Sequence, residues 1–348
     1  MIDGKSILIT GGTGSFGQKF TSEIFAKFKP REVVIFSRDE FKQSEMAKRF
    51  PPGKFPIRYF IGDIRDKERL LRAFTYIDYV VHAAALKQVP ALESNPFEAV
   101  KTNILGAQNI VEAALDREVK KVVALSTDKA VNPINLYGAT KLAMEKIMIA
   151  ANAYVRFRDI SFSVVRYGNV VGSRGSVIPF FCDLIRQGVR ELPITDPRMT
   201  RFWITLDQGV SLVFEALKTA GGGEVLIPKI PSMKVVDLVG ALPCPCTCKT
   251  VGIRPGEKLH ESMVGEDEGR NTVDRGDHFA VLPQFSFHHK PSKLSKRGRP
   301  VPAGFSYSSD SNRQWLDVEQ LRGMIADYTD DIPFRGAAVH VPVSQLVA

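Results

Sequence analysis

A chain of 348 residues, 44% hydrophobic and 24% charged, has the composition of a globular soluble protein, with room for two domains or one large α/β domain with additions. No apolar run approaches the length that spans a bilayer and the N-terminus enters a strand pattern at once, so a membrane partner is excluded and a cytoplasmic protein is expected. The net charge of +9 is spread along the chain, and a site for two polyanionic ligands explains the excess as well as nucleic acid does, so no nucleic-acid partner is expected.

Lys5 to Thr10 reads as a buried strand. Gly11, Gly12, Thr13, Gly14, Ser15, Phe16 and Gly17 follow it directly and lead into a helical pattern from Gln18 to Phe28. Glycines at 11, 14 and 17 allow a tight turn, close approach of backbone to a pyrophosphate, and close packing of helix on strand. The helix N-terminus then offers free N–H groups to the phosphates. Thr13, Ser15 and Phe16 belong to the same dinucleotide-binding turn.

The second strand, Glu32 to Phe36, runs into Ser37, Arg38, Asp39, Glu40, Phe41 and Lys42. An acid here would bond the adenosine ribose of NAD, whereas cations would receive the extra phosphate of NADP. Ser37, Arg38 and Lys42 favour NADP, and Asp39 keeps NAD open. Strand three, Ile57 to Ile61, ends at Gly62, Asp63 and Ile64, positioned to touch the adenine. Strand four, Tyr79 to Ala83, continues into Ala84, Ala85, Leu86 and Lys87. Small residues such as Ala83 and Ala84 let the backbone pass close to a flat dinucleotide, with Lys87 at the mouth of the crevice. A long helix from Asn95 to Asp116 follows, started by Asn95 and Pro96. This alternation predicts a Rossmann-type, doubly wound parallel sheet of the α/β class.

A fifth strand, Lys121 to Leu125, ends at Ser126, Thr127, Asp128 and Lys129, and a helix begins near Asn135. Tyr137 and Lys141, four residues apart, share one face of that helix. An ammonium beside the phenol would favour the phenolate, a base at neutral pH. The end of the strand is where open α/β sheets place ligands, so these groups converge on one crevice.

Phe162 to Tyr167 is strand six. The predicted domains are a cofactor-binding domain over 1–169, a smaller C-terminal substrate-binding α/β region over 170–328 with segments returning to the first sheet, and an irregular tail over 329–348. Arg201 and Arg254 suit a diphosphate because a guanidinium forks onto oxyanions. The basic run 287–300 reads as a solvated loop. Cys182 and the cluster Cys244, Cys246 and Cys248 fit a reducing compartment. Three thiols over five residues lack the fourth ligand and the spacing of a zinc site, so no metal is assigned.

The glycine turn, His82 to Ala85, Ser126 to Asp128 and the Tyr137/Lys141 pair together resemble an extended short-chain dehydrogenase/reductase acting on nucleotide-sugars. The segments 37–40, 82–87, 125–130, 165–177, 199–205 and 252–261 resemble more closely the inverting UDP-N-acetylglucosamine 4,6-dehydratases of pseudaminic acid biosynthesis. The likeness covers residues 1–328 and departs at the cysteine loop and in the tail. It implies a homo-oligomer, a hexamer, that holds NADP tightly and regenerates it each turnover. Tyr137, with Lys141 beside it, would take the O4 proton as C4 is oxidised. Lys129 would remove the C5 proton and Asp128 would protonate the departing C6 hydroxyl, with Thr127 bonding near O4. Reprotonation of C5 from the opposite face, by Lys129 or Tyr137, would invert it. By the same resemblance Val170 touches the cofactor, and Lys87, Asn169, Arg174, Thr195, Arg201, Arg254 and Glu257 hold the UDP-sugar.

One position separates the relatives. Retaining sugar dehydratases carry Glu where this chain has Lys129. A lysine removes a proton only when neutral, which requires burial or nearby positive charge, and Asp128 must carry a proton to act as an acid. A retaining dehydratase and a nucleotide-sugar 4-epimerase are the rival enzymes, the latter needing neither group. A non-catalytic NADP sensor would be expected to lack one of Tyr137, Lys141 or Asp128. An RNA-binding protein would bind with steep salt dependence.

Overall fold

The computed structural model describes residues 1–155, 158–173, 175–285 and 298–329. Two compact units divide them, the first made of Met1–Tyr167, Leu206–Lys229 and Ser262–Ser306. The second comprises Gly168–Thr205, Ile230–Glu261 and the described residues from Tyr307 onward.

The first unit is built on strands β1 (Ser6–Thr10), β2 (Glu32–Ser37), β3 (Ile57–Ile61), β4 (Tyr79–His82), β5 (Lys121–Thr127) and β6 (Ser161–Tyr167). They pair in parallel in the order β3-β2-β1-β4-β5-β6, the doubly wound arrangement. Val225–Pro228 adds in parallel beside β6, and His278–Val281, Thr272–Asp274 and Arg299–Pro300 complete a ten-stranded sheet as antiparallel strands. Every residue of β1 is buried, as expected of a strand covered on both faces. Thr10 lies opposite both Phe36 and His82, so the strand ends that carry the candidate site are in register.

Helices α1 (Ser15–Lys27), α2 (Glu40–Arg49), α3 (Lys67–Ala73), α4 (Val89–Ser94), α5 (Pro96–Ala99), α6 (Gly106–Asp116) and α7 (Leu136–Ala150) connect the strands. The single helix predicted over 95–116 is interrupted: a π-helical stretch, Val100–Leu105, separates α5 from α6. Within it, Asn103 bonds both backbone groups of Leu86 at 2.9 Å and the Thr140 hydroxyl at 3.0 Å. Such stretches accompany functional positions, and this one ties the loop after β4 to α7.

The second unit packs a small sheet of Asn169–Val170, Thr200–Ile204 and Ser232–Lys234, and a parallel pair of Glu191–Ile194 and Thr247–Thr250. Its core, including Ile178, Phe181, Trp203, Leu238, Leu321 and Ile325, gathers the helices Val177–Arg186, Val235–Ala241 and Val318–Thr329. Thr329, predicted to begin the tail, closes that last helix, and 330–348 lie outside the described residues. Residues 287–297 of the basic run also lie outside them. Arg299 and Pro300, predicted as loop, pair with Asp274 and Val273 as a strand because a sheet edge is within their reach. Among the described residues no helix is long and apolar enough to cross a membrane, and no group of three His, Cys, Asp or Glu is placed to hold a metal ion.

Candidate active site

The turn after β1 is shaped by what it leaves out. Gly11 has φ +64°, and a Cβ there would lie 2.9 Å from the Ala84 backbone. Gly17 sits at the start of α1, where a Cβ would come within 2.4 Å of the Gly12 carbonyl oxygen. Gly14 is the N-cap of α1 and supplies no side-chain cap, so no cap side chain competes with an anion for the first-turn N–H groups. Thr13 is buried, and its carbonyl accepts from Gln18 Nε2 at 3.0 Å. The ring of Phe16 stacks on Phe20 at 5.5 Å. Ala83 N donates to the Thr10 carbonyl at 3.2 Å, holding β4 beside this turn.

At the end of β2, Ser37 is buried and its hydroxyl accepts from Gln43 Nε2 at 2.9 Å. Asp39 caps α2 by accepting from Lys42 N at 2.9 Å, and its other oxygen lies 2.6 Å from Lys42 Nζ. The Lys42 hydrogen bonds hold the Asp39 carboxyl below the ordinary carboxylate range. Arg38 reaches Asp63 at 3.6 Å from a largely exposed position, while Arg65 forks onto Asp63 at 2.7 and 2.9 Å. Ile64 is buried, and a Cβ on Gly106 would lie 2.7 Å from its Cδ1. Its side chain is thus core, and its carbonyl accepts from Asn109 Nδ2 at 3.0 Å.

The turn after β5 is the opposite case, built from side chains. Thr127 Oγ1 donates to Asp128 Oδ1 at 2.9 Å, and Lys129 Nζ donates to the same oxygen at 3.1 Å. Asp128 is fully buried, and its second oxygen, Oδ2, has no hydrogen-bond partner among the described residues. That is costly unless something else meets it, because a buried unsatisfied oxygen forfeits about 1–3 kcal/mol. Asn135 caps α7 by accepting from Gly138 N at 2.7 Å. A Cβ on Gly138 would lie 2.1 Å from the Lys129 carbonyl, so the helix start is pressed directly onto the turn.

Tyr137 thereby joins Thr127, Asp128 and Lys129. The residue keeps some surface, but its phenol end is desolvated, and burial pushes it up to about 12. Lys129 opposes that shift, Asp128 adds to it, and a hydrogen bond with Thr127 lowers it. Lys87, after β4, has its amine lowered by partial burial and then by the charge of Lys129.

Lys141 is arranged differently from its sequence reading. It shares the face of Tyr137, yet its Nζ donates to the Leu125 carbonyl at 2.6 Å. The cation that lowers the Tyr137 phenol is Lys129. Burial lowers the Lys141 amine to about 8, with Glu145 opposing. His82 is also buried, lowered to about 3 by desolvation and then by Lys141. It bonds Thr10 Oγ1 at 2.8 Å, and that oxygen accepts from Ala84 N at 3.3 Å. Thr10 and Asn103 were missed in the sequence, and His82 was read only as part of a motif without a role, because their work is to position backbone. The π-helical stretch around Asn103 has no sequence signature.

The buried Arg166 lies inside the 165–177 segment, yet its role was not read from the sequence. Its guanidinium meets Glu145 of α7 at 3.0 and 2.6 Å, Glu268 at 2.8 and 2.9 Å, and the Met263 carbonyl at 2.7 Å. It thus anchors α7 from the far end of the Tyr137 and Lys141 face.

In the second unit, Arg201 is nearly buried and donates to the carbonyls of Thr200 (2.7 Å), Leu259 (3.1 Å) and Lys258 (2.9 Å). Glu257 lies 3.6 Å from it, and Glu257 also accepts from Arg254 N at 3.4 Å. Arg201, Arg254 and Glu257 are therefore brought together, with much of the Arg201 fork committed to backbone. Thr195 donates to Met199 Sδ at 3.2 Å. Asn169 and Val170 are half-buried and pair with Trp203 and Ile204. Arg174 lies outside the described residues.

Residues 7–283 match the model of a family described as polysaccharide biosynthesis protein. A Campylobacter jejuni protein named UDP-N-acetylglucosamine 4,6-dehydratase (inverting) is 52% identical over 330 residues, 93% of this chain and 98% of that one. A Rickettsia canadensis protein named UDP-glucose 4-epimerase is 42% identical over 330 residues, covering 92% and 95%. The X-ray structure of Pen from Bacillus thuringiensis superposes with a TM-score of 0.85 at 38% identity, covering 94% of this chain and 99% of that one. On this evidence the chain belongs to the polysaccharide biosynthesis protein family and, within it, to the inverting UDP-N-acetylglucosamine 4,6-dehydratases.

Proposed function

We propose that this protein converts UDP-N-acetylglucosamine to the C5-inverted 4-keto-6-deoxy sugar in the cytoplasm, with NADP as its resident cofactor, as a step of pseudaminic acid biosynthesis. The observation that carries the reading is the buried Asp128 carboxyl: one oxygen is bonded by Thr127 and Lys129 and the other is left without a partner. A 4-epimerase needs no such group, and the dehydratase relative is also the more similar one, at 52% against 42% identity.

The residues fit a dinucleotide. The Gly11 and Gly17 positions admit no Cβ without displacement of backbone, and α1 begins uncapped beside them. NADP over NAD is supported by a serine at the end of β2 and by Asp39 being committed to α2 and Lys42, while Arg38 remains largely exposed. When bound, the nicotinamide supplies a hydride acceptor at C4 and a hydride donor at C6, so it is regenerated in each turnover and tight retention is expected.

Tyr137 takes the O4 proton. Its phenol is raised by burial, and the charge of Lys129 and the Thr127 hydrogen bond reduce that rise without cancelling it. Once C4 is a ketone, C5 is acidic and the Lys129 amine removes its proton. Lys87 stands close enough for the charge of Lys129 to lower its amine after its own burial does, and that repulsion acts on both amines. Asp128 acts as the acid through Oδ2, the oxygen left open while Oδ1 accepts from Thr127 and Lys129, and protonates the leaving C6 hydroxyl. Arg201, Arg254 and Glu257 are the proposed UDP-sugar contacts of the second unit. The test is incubation of the pure protein with UDP-N-acetylglucosamine in heavy water. A 4-keto-6-deoxy product with deuterium at C5 is expected in the NMR spectrum, whereas an epimer with its 6-hydroxyl intact would overturn the assignment.

A further inference from the structure

Cys244 and Cys246 are absorbed by none of this chemistry. They stand in a Cys-Pro-Cys-Thr-Cys segment between the helix Val235–Ala241 and the strand Thr247–Thr250, all within the second unit. Their sulfurs are 2.8 Å apart, less than an ångström beyond the ~2.05 Å of a disulfide bond. Proline on both sides of Cys244 restricts the segment, so little chain entropy remains to be lost on closing a ring there. Cys244 is buried in the unit's core, Cys246 is half-buried, and Cys248 is exposed.

The other thiols are placed differently. Cys182 is buried and its Sγ donates to the Tyr328 carbonyl at 3.5 Å. Cys248 lies within the strand, opposite Leu192 of Glu191–Ile194, and extended backbone holds it in that register. The segment is tied down on both sides of the pair: Thr247 N donates to the Arg190 carbonyl at 2.8 Å, and Leu242 N to the Val239 carbonyl at 3.3 Å. The two sulfurs therefore meet because the fold holds both ends of the segment.

We propose that Cys244 and Cys246 form a reversible redox site that low-molecular-weight disulfides such as oxidised glutathione convert to an intramolecular disulfide. Cys246, the more accessible of the two, attacks one sulfur of the oxidant. A protein–glutathione mixed disulfide forms and one glutathione leaves with the proton. Cys244 then displaces the second glutathione, closing the Cys244–Cys246 bond. Two protein thiols become one disulfide while the oxidant's disulfide becomes two thiols. Burial and the adjoining Cys244 push the Cys246 thiol up, with Arg190 opposing, so little thiolate is present at neutral pH and closure is slow.

The test is a thiol map of the folded protein. The full chain is incubated with oxidised glutathione, its remaining thiols are alkylated, and its peptides are weighed. The peptide carrying Cys244 and Cys246 is expected to lose two hydrogens while Cys182 and Cys248 stay alkylatable, and dithiothreitol is expected to reverse the change. C248S should close the bond to the same extent, and C244S should stop at a glutathione adduct on Cys246. Cys244 remaining fully alkylatable in the wild-type chain, or C244S closing a Cys246–Cys248 bond at the wild-type rate, would overturn the proposal. The mass readout is independent of catalysis, so it stands or falls apart from the assigned reaction.

Discussion

The turns after β1 and β5 lie on one edge of the same sheet and solve opposite problems. The first is defined by absent side chains: Gly11 and Gly17 leave space that a single Cβ would fill with a clash. The second is crowded with functional groups that bond one another: Thr127 and Lys129 both spend a hydrogen bond on one oxygen of Asp128. A backbone cradle suits a ligand used the same way by many enzymes, whereas a side-chain cluster selects one reaction. An epimerase relative can therefore share the first turn and differ in what the second must do.

The comparison breaks most visibly at position 128. Asp128→Asn keeps the shape and the Oδ1 acceptor but cannot hold the acidic proton, so kcat should fall by about 10²–10⁴ while cofactor content, read by absorbance of the denatured supernatant, stays at the wild-type level. Gly17→Ala attacks the other turn. Its Cβ would meet the Gly12 carbonyl at 2.4 Å, and a loss of about 1–3 kcal/mol of stability with at least about tenfold weaker cofactor retention should follow; unchanged melting and retention would refute the cradle. With NADP as the proposed cofactor, Arg38→Ser should weaken NADP relative to NAD by about tenfold, read from fluorescence titration of the two dinucleotides, since one charge-assisted contact is worth about 1.5 kcal/mol or more.

Near neutral pH the smallest effect is on pH-dependent stability. His82 is lowered to about 3 when folded, so between that value and its unfolded value the unfolded chain binds the extra proton. Stability is therefore lost as pH falls from about 6.5 toward 3, by less than about 1 kcal/mol at pH 6 and about 1.4 kcal/mol per unit below that. Urea unfolding of wild type and His82→Gln across this range should show the slope in the first and its loss in the second.

How much of this was legible in the sequence follows the same division. The glycine turn, the alternation of strands and helices and the Tyr137/Lys141 helix could be read because strands buried on both faces, glycine spacing and capping residues such as Asn135 leave local patterns. The partner of Lys141 could not. Spacing shows that Tyr137 and Lys141 share a face, but not that the amine reaches back to the Leu125 carbonyl and leaves Lys129 as the cation acting on the phenol. Likewise nothing local announces that Arg166 meets residues more than ninety positions away, or that Asn103 sits in a π-helical stretch holding Leu86. Tertiary geometry decides such contacts.

The central claim is that the amine at position 129 is the base at C5, and one comparison addresses it directly. Wild type and Lys129→Met, both loaded with cofactor, are given UDP-N-acetylglucosamine in heavy water, and deuterium at C5 is followed by NMR together with formation of the 6-deoxy product. The wild type should incorporate deuterium at C5 as product accumulates, and the variant should do neither beyond background. Deuterium exchange and dehydration continuing in Lys129→Met at the wild-type rate would contradict the assignment of Lys129 as the base.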